Sequence, residues 1–180
     1  MDAEQETSLT DQIRDRFKAD APGAPVCEKY AEELVAGTLA SAVRADADPS
    51  AILEQVLAGV VKGVTAAGAP LWLAARGAML GALRSSGASG MDHRAVLEQV
   101  PTDLVRLADA GGGDFGAAAK GAVEGAIEAA EITGIRASDA AEVAASAAYR
   151  AAVALRPSAG IRIRHITTPA VRGIPIVLRD

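Results

Sequence analysis

Aromatic side chains are scarce in this chain: two Phe, two Tyr and one Trp make up 3% of its 180 residues. A core built without them buries little area per residue, so close backbone approach must compensate. Cysteine occurs once, at Cys27, which excludes an internal disulfide and a multi-cysteine zinc site and fits a reducing cytoplasm. Histidine occurs twice, His93 and His165, each without a cysteine or carboxylate cluster at ligand spacing, so no metal site is expected. No uncharged apolar run reaches the ~18 residues of a membrane-spanning helix. Residues 55–83 come nearest, interrupted by Lys62, Arg76 and a turn at "AGAP". The opening stretch "MDAEQETSLTDQIRDRFKAD" is acidic and lacks an apolar run, unlike a secretory signal.

What is present is alanine, valine, leucine and glycine, with 50% hydrophobic residues and a net charge of −5. That charge argues against nucleic-acid binding. It is unevenly placed: residues 1–33 hold nine acids and four bases, and residues 156–180 hold five arginines and one aspartate. Such ends meet different partners, or each other in an assembly.

The chain repeats itself. "AARGAMLGAL" at 74–83 returns as "AAKGAVEGAI" at 118–127, and "AILEQV" at 51–56 returns as "AVLEQV" at 95–100, both 44 residues on. Two landmarks at one offset, with a pair of helices between them, indicate a helical-hairpin repeat. Cap and breaker signals predict six helices, at 28–44, 50–67, 70–85, 92–109, 115–132 and 138–155. The expected caps are Asp48 or Ser50, Asp92, Asp114, and Ser138 or Asp139; Pro101 should kink its helix or restart it at Thr102. Leu9, Ile13 and Phe17 predict a short amphipathic helix over 8–19, followed by "APGAPV" as a linker. After Arg156-Pro157 the period-two "IRIRHI" and the apolar "GIPIVL" predict an extended arm or hairpin over 161–180, turning at "TTPAVRG".

The expected architecture is therefore all-α: three Ala/Gly-rich hairpins of about 44 residues and an extended C-terminal arm. Its parts are an acidic segment and linker (1–27), a repeat domain (28–156) and a basic, apolar arm (157–180). Small residues four apart line one face of each helix: Gly59, Gly63 and Ala67; Gly77 and Gly81; Gly121, Gly125 and Ala129; Ala140, Ala144, Ala148 and Ala152; and, more weakly, Gly37, Ser41 and Ala45. Each internal glycine costs about 1 kcal/mol relative to alanine. A flat stripe compensates by letting backbones approach below the usual spacing of about 8–10 Å. Two readings follow: tight packing within one subunit, or stripes shared among several copies. The thin core favours the second. Insertion of the 50–67 and 70–85 helices into a membrane is a further reading, with Lys62 and Arg76 snorkelling and Trp72 at the interface.

Catalytic chemistry is not expected. "GGGD" at 111–114 precedes a helix but lacks the Lys-Ser/Thr of a phosphate loop, and Asp114 would repel an anion. Glu124, Glu128 and Glu131 share one face without a histidine or a second acidic cluster, and read as a solvated face. No cofactor is implied. The arm is the best binding element: Ile161, Ile163, Ile174, Ile176 and Leu178 would face a partner, with Arg162, Arg164 and Arg172 at its acidic rim. The alternative is a hairpin folded back on its own helices.

The pattern "GAxxGAL…AxLEQV" resembles the alanine- and glycine-rich helical-hairpin repeat proteins of uncharacterised bacterial families, over about residues 30–155. The small-residue helices and the arm also resemble the oligomerising stalk subunit of a high-affinity uptake nickel–iron hydrogenase. That resemblance implies a homo-oligomer forming a hydrophobic tube for quinone passage at the membrane, joined to a larger redox enzyme by a terminal extension. Phasins, which coat granules, are similar in their alanine-rich amphipathic helices, but lack regular glycines. The functional expectation is a non-enzymatic, cytoplasmic or membrane-peripheral scaffold. It would self-associate through the helix faces and recruit a larger partner through 157–180, with a lipid- or quinone-contacting protein as the alternative.

Overall fold

The computed structural model describes residues 8–20, 24–168 and 170–178, with Ala24 and Pro25 as backbone only. Most of the expected linker "APGAPV" therefore lies outside the described side chains. Eight helices follow one another: α1 Leu9–Asp20, α2 Ala24–Arg44, α3 Pro49–Ala67, α4 Leu71–Ser86, α5 His93–Ala110, α6 Phe115–Thr133, α7 Ala137–Leu155 and α8 Pro157–Thr167. A two-residue hairpin of β1 (Ala170–Val171) and β2 (Ile174–Pro175) ends the described chain. The all-α expectation holds.

The helices form two rows. α1, α3, α5 and α7 stack in one, and α2, α4 and α6 in the other, where α8 follows as a shorter last member. Glycine sets the spacing inside each row. A Cβ on Gly77 or Gly81 of α4 would run into the carbonyl oxygens of Glu28 and Glu32 on α2. On α6, one at Gly121 would strike the Trp72 carbonyl, and one at Gly125 would lie 2.6 Å from the Arg76 carbonyl oxygen. Each contact recurs 44 residues on, Glu28 becoming Trp72 and Glu32 becoming Arg76. In the other row, Gly59 and Gly63 of α3 receive Ile13 and Phe17 of α1, each with a hypothetical Cβ at 2.6 Å.

A finer period underlies the repeat. The left-handed residues Asp46, Gly68, Gly90, Gly112 and Gly134 lie 22 apart. The N-caps Asp48, Pro70, Asp92, Asp114 and Arg136 each follow two residues later. One helix with its turn is thus the unit, and the 44-residue offset is two of them. Asp48, Asp92 and Asp114 cap as expected, accepting from the backbone N–H of Ser50, Ala95, and Gly116 and Ala117.

Several expectations are corrected. Arg136, not Ser138 or Asp139, occupies the N-cap of α7 and makes no side-chain cap. Asp139 instead bonds back to the Arg136 guanidinium at 2.8 Å. α5 runs without a break through the buried Pro101, which only withdraws an N–H from the Leu97 carbonyl. The expected arm over 157–180 is helical in its first half. Pro157 ends α7, but its fixed φ also suits a first helical turn, and α8 starts on it. Beneath the period-two appearance of "IRIRHI" lies a helical one, since Ala159, Ile163 and Thr167 are buried four apart. The hairpin turns at Arg172-Gly173, both with positive φ (49° and 78°), as a two-residue connection of this hand requires.

Candidate interaction surfaces

Packing absorbs most of the small-residue stripes. Gly59 and Gly63 seat α1, Gly77 and Gly81 seat α2, and Gly121 and Gly125 seat α4. Ala144 and Ala148 are fully buried on α7, which packs against α5, α6 and α8. Of the two readings of these stripes, tight packing within one subunit describes these particular faces, because backbones and side chains of the same chain already fill them. One position of the series is unfilled. Gly37 of α2 stands 44 residues before Gly81 and 88 before Gly125, and a Cβ there would meet none of the described residues within 4 Å.

The C-terminal residues divide. Ile163 is 0% exposed and Ile176 5%, both joined to the main core. Ile174 and Leu178 are partly buried against it. Ile161 alone of the expected apolar contacts is open, at 71%, and Val177, which the sequence did not single out, matches it. The arginines are occupied at home. Arg156 and Arg162 pair with Asp109 and Asp114, each at 2.8 Å, and both lie over the Phe115 ring. Arg164 donates to the Tyr149 hydroxyl at 3.0 Å, and Arg172 to Glu128 at 2.9 Å. The basic tail therefore meets acids near α5 and α6 of its own chain.

Glu128 belongs to a network across three helices. Arg76 of α4 bridges Glu28 of α2, at 3.2 Å, and Glu128 of α6. The Arg76 hydrogen bond holds Glu128 below the ordinary carboxylate value, whereas burial pushes Glu28 up. Arg76 Nε is buried without a hydrogen-bond partner among the described residues. The acids of α6 foreseen as a solvated face are thus split, with Glu128 tying helices together and Glu124 near Lys120 at 3.9 Å. Among the described residues no group of three His, Cys, Asp or Glu side chains could hold a metal ion. Cys27 is buried, and desolvation pushes its thiol up to about 11, so it is not a nucleophile at neutral pH.

The α3–α5 seam differs from the others. Where α3 has Gly59 and Gly63, α5 has Asp103 and Leu107 at the 44-residue offset, and these side chains keep the two helices apart. Polar contacts close one end: Ser50 Oγ donates to Gln99 Oε1 at 2.9 Å, and Gln99 Nε2 donates to the Ser50 carbonyl at 3.0 Å. At the other end an apolar cavity of about 350 Å³ remains, lined by Val61, Thr65, Ala66, Leu107 and Ala110 with Lys62 beside them.

Burial pushes the Asp103 carboxyl above its usual value; the Gln99 hydrogen bond and Arg106 oppose this, and Glu54 adds to it. The folded chain thus holds this proton more tightly than the unfolded one. The resulting stability is complete below the ordinary carboxylate pKa and is lost as pH rises from there to the raised folded value. Asp103→Asn is accordingly expected to raise the melting temperature at neutral pH, with the gain shrinking as pH falls toward ~4. Thermal unfolding at both pH values checks this, and an unchanged or lowered neutral-pH midpoint would count against it.

Comparison of the chain with family models, curated proteins and solved structures finds no match.

Proposed function

We propose that the protein is a non-enzymatic scaffold that self-associates through a helix face and recruits a larger partner through its C-terminal surface. The observation that carries the reading is the asymmetry of the stack. At one end α8 and the hairpin cover the last helices, burying Ile163, Val171 and Ile176. At the other, α2 carries the one seat of the series without an occupant among the described residues. Repeat stacks need polar caps to remain single, and an open terminal face is where they associate. Partner recruitment rests on Ile161 and Val177, large apolar side chains each 71% exposed on the C-terminal segment. A membrane-linked redox enzyme of the uptake-hydrogenase kind is the partner class that the resemblance supplies.

Light scattering of the purified chain is expected to give a multimer; a monomer at every concentration would remove the self-association. Ile161→Glu should release a bound partner without lowering the melting temperature, because the side chain contributes little to the core.

The second reading, contact with lipid or quinone, is favoured by the apolar cavity between α3 and α5. α3 is also the one helix among the described residues long and apolar enough to cross a membrane, although core helices pass the same test. Co-flotation with liposomes would favour this reading, and failure to float would favour the scaffold. Either activity places the protein in the cytoplasm or on the inner membrane face.

A further inference from the structure

We infer that the open face of α2 docks a second copy of this chain as a two-fold dimer, the two α2 helices crossing antiparallel at Gly37. The inference rests on the self-association reading and specifies its surface, its symmetry and its ion pairs.

Register comes first. Gly81 and Gly125 each pack against a backbone carbonyl of the preceding helix in their row, and Gly37 holds the same place 44 residues before Gly81 with none of the described residues against it. Around it Glu33, Ala40, Ser41 and Arg44 are exposed, whereas Gly81 and Gly125 and most of the residues beside them on α4 and α6 are buried. Alongside runs a groove of about 490 Å³ between α1 and α2, whose walls include Leu9, Tyr30, Leu34 and Thr38. Its shape suits a rod laid against α2.

The charges select the occupant. Glu33 lies four residues before Gly37, with its carboxylate 3.7 Å from Lys29 and 65% of its side chain exposed. Arg44 donates to Ser41 Oγ at 2.9 Å, which places its guanidinium over a residue four after Gly37. In an antiparallel crossing at Gly37, position 33 of one copy faces position 41 of the other. Glu33 then meets the partner's guanidinium over Ser41, and the pair forms twice. A parallel crossing would set Glu33 against Glu33, which repels.

Symmetry settles the arrangement. Head-to-tail growth would need a helix seat at the far end of the row, but α8 lies there, with its Ile166 over Gly116. An isologous contact that uses one face twice closes on itself and needs no second site.

The test is sedimentation velocity with Kd from a dilution series. The native chain is expected to be a dimer, and Gly37→Leu a monomer with an undiminished melting temperature, since a Cβ at that position meets none of the described residues within 4 Å. Glu33→Arg and Arg44→Glu should each weaken the dimer at least tenfold, and the two together should restore most of it. A Gly37→Leu variant that dimerises like the native chain, or a double variant no tighter than the singles, would overturn the inference. A larger multimer insensitive to Gly37 would overturn it while leaving the scaffold reading standing; a monomeric native chain would remove both.

Discussion

Gly121→Leu is expected to abolish the folded state under conditions where Gly37→Leu leaves it intact. Both are helical glycines at four-residue spacing, and nothing local separates them. At Gly121 the first added carbon would overlap the Trp72 carbonyl oxygen, approach its carbonyl carbon to 2.8 Å and meet Ala75 Cβ at 3.1 Å. Two of those atoms are backbone and cannot rotate away, so relief requires α6 to leave α4. That separation breaks the contact recurring between α2 and α4 and strips the Arg76–Glu128 bridge of its geometry. Overpacking costs of about 1–3 kcal/mol apply where side chains yield; a backbone collision exceeds them and takes a large part of a total of about 5–15 kcal/mol. At Gly37 the first added carbon meets none of the described residues within 4 Å, and the substitution gains roughly 1 kcal/mol of helix propensity. Urea unfolding followed by circular dichroism compares the two. Equal midpoints would show that the stripes do not set the helix spacing.

Removal of residues 157–180 should destabilise the chain by about 5 kcal/mol, the burial of three large aliphatic side chains at roughly 1.5–3 kcal/mol each. Ile163, Val171 and Ile176 are 0%, 4% and 5% exposed, so the segment completes the core and is no detachable arm. A point variant isolates the effect. Ile163→Ala should cost about 3 kcal/mol, while Ile161→Ala, two residues away and 71% exposed, should cost almost nothing. Chemical denaturation of the three variants reads the difference. If truncation left the midpoint unmoved, the C-terminal segment would have to be a passenger on the helices.

These two results mark the limit of what local sequence could say. The glycine spacing, the Asp48, Asp92 and Asp114 caps, and the bounds of the 50–67 and 115–132 helices were legible because each depends on neighbours within a turn or two. The short helix at Leu9, Ile13 and Phe17 was legible for the same reason. The 22-residue period was present as well, in Gly68, Gly90, Gly112 and Gly134. It is hidden where Asp46 replaces glycine and where Pro70 and Arg136 replace the capping aspartate. The segment after Pro157 misled because alternating isoleucine and arginine satisfies a strand and a short helix alike. The helix prevails because Ile163 has a core to enter.

Sequence by itself determined that this chain is helical, that its helices are paced by turns at fixed intervals, and that their faces are flat enough for backbones to touch. Only the tertiary structure decided which backbone touches which glycine. It filled Gly77, Gly81, Gly121 and Gly125 from within the chain and left Gly37 open among the described residues, where α2 is the first helix of its row. A glycine is identical in every local respect wherever it stands in the series; its occupancy depends on a neighbour 49 residues distant in the sequence, as Glu28 is from Gly77 and Trp72 from Gly121, and no short window of sequence contains that neighbour.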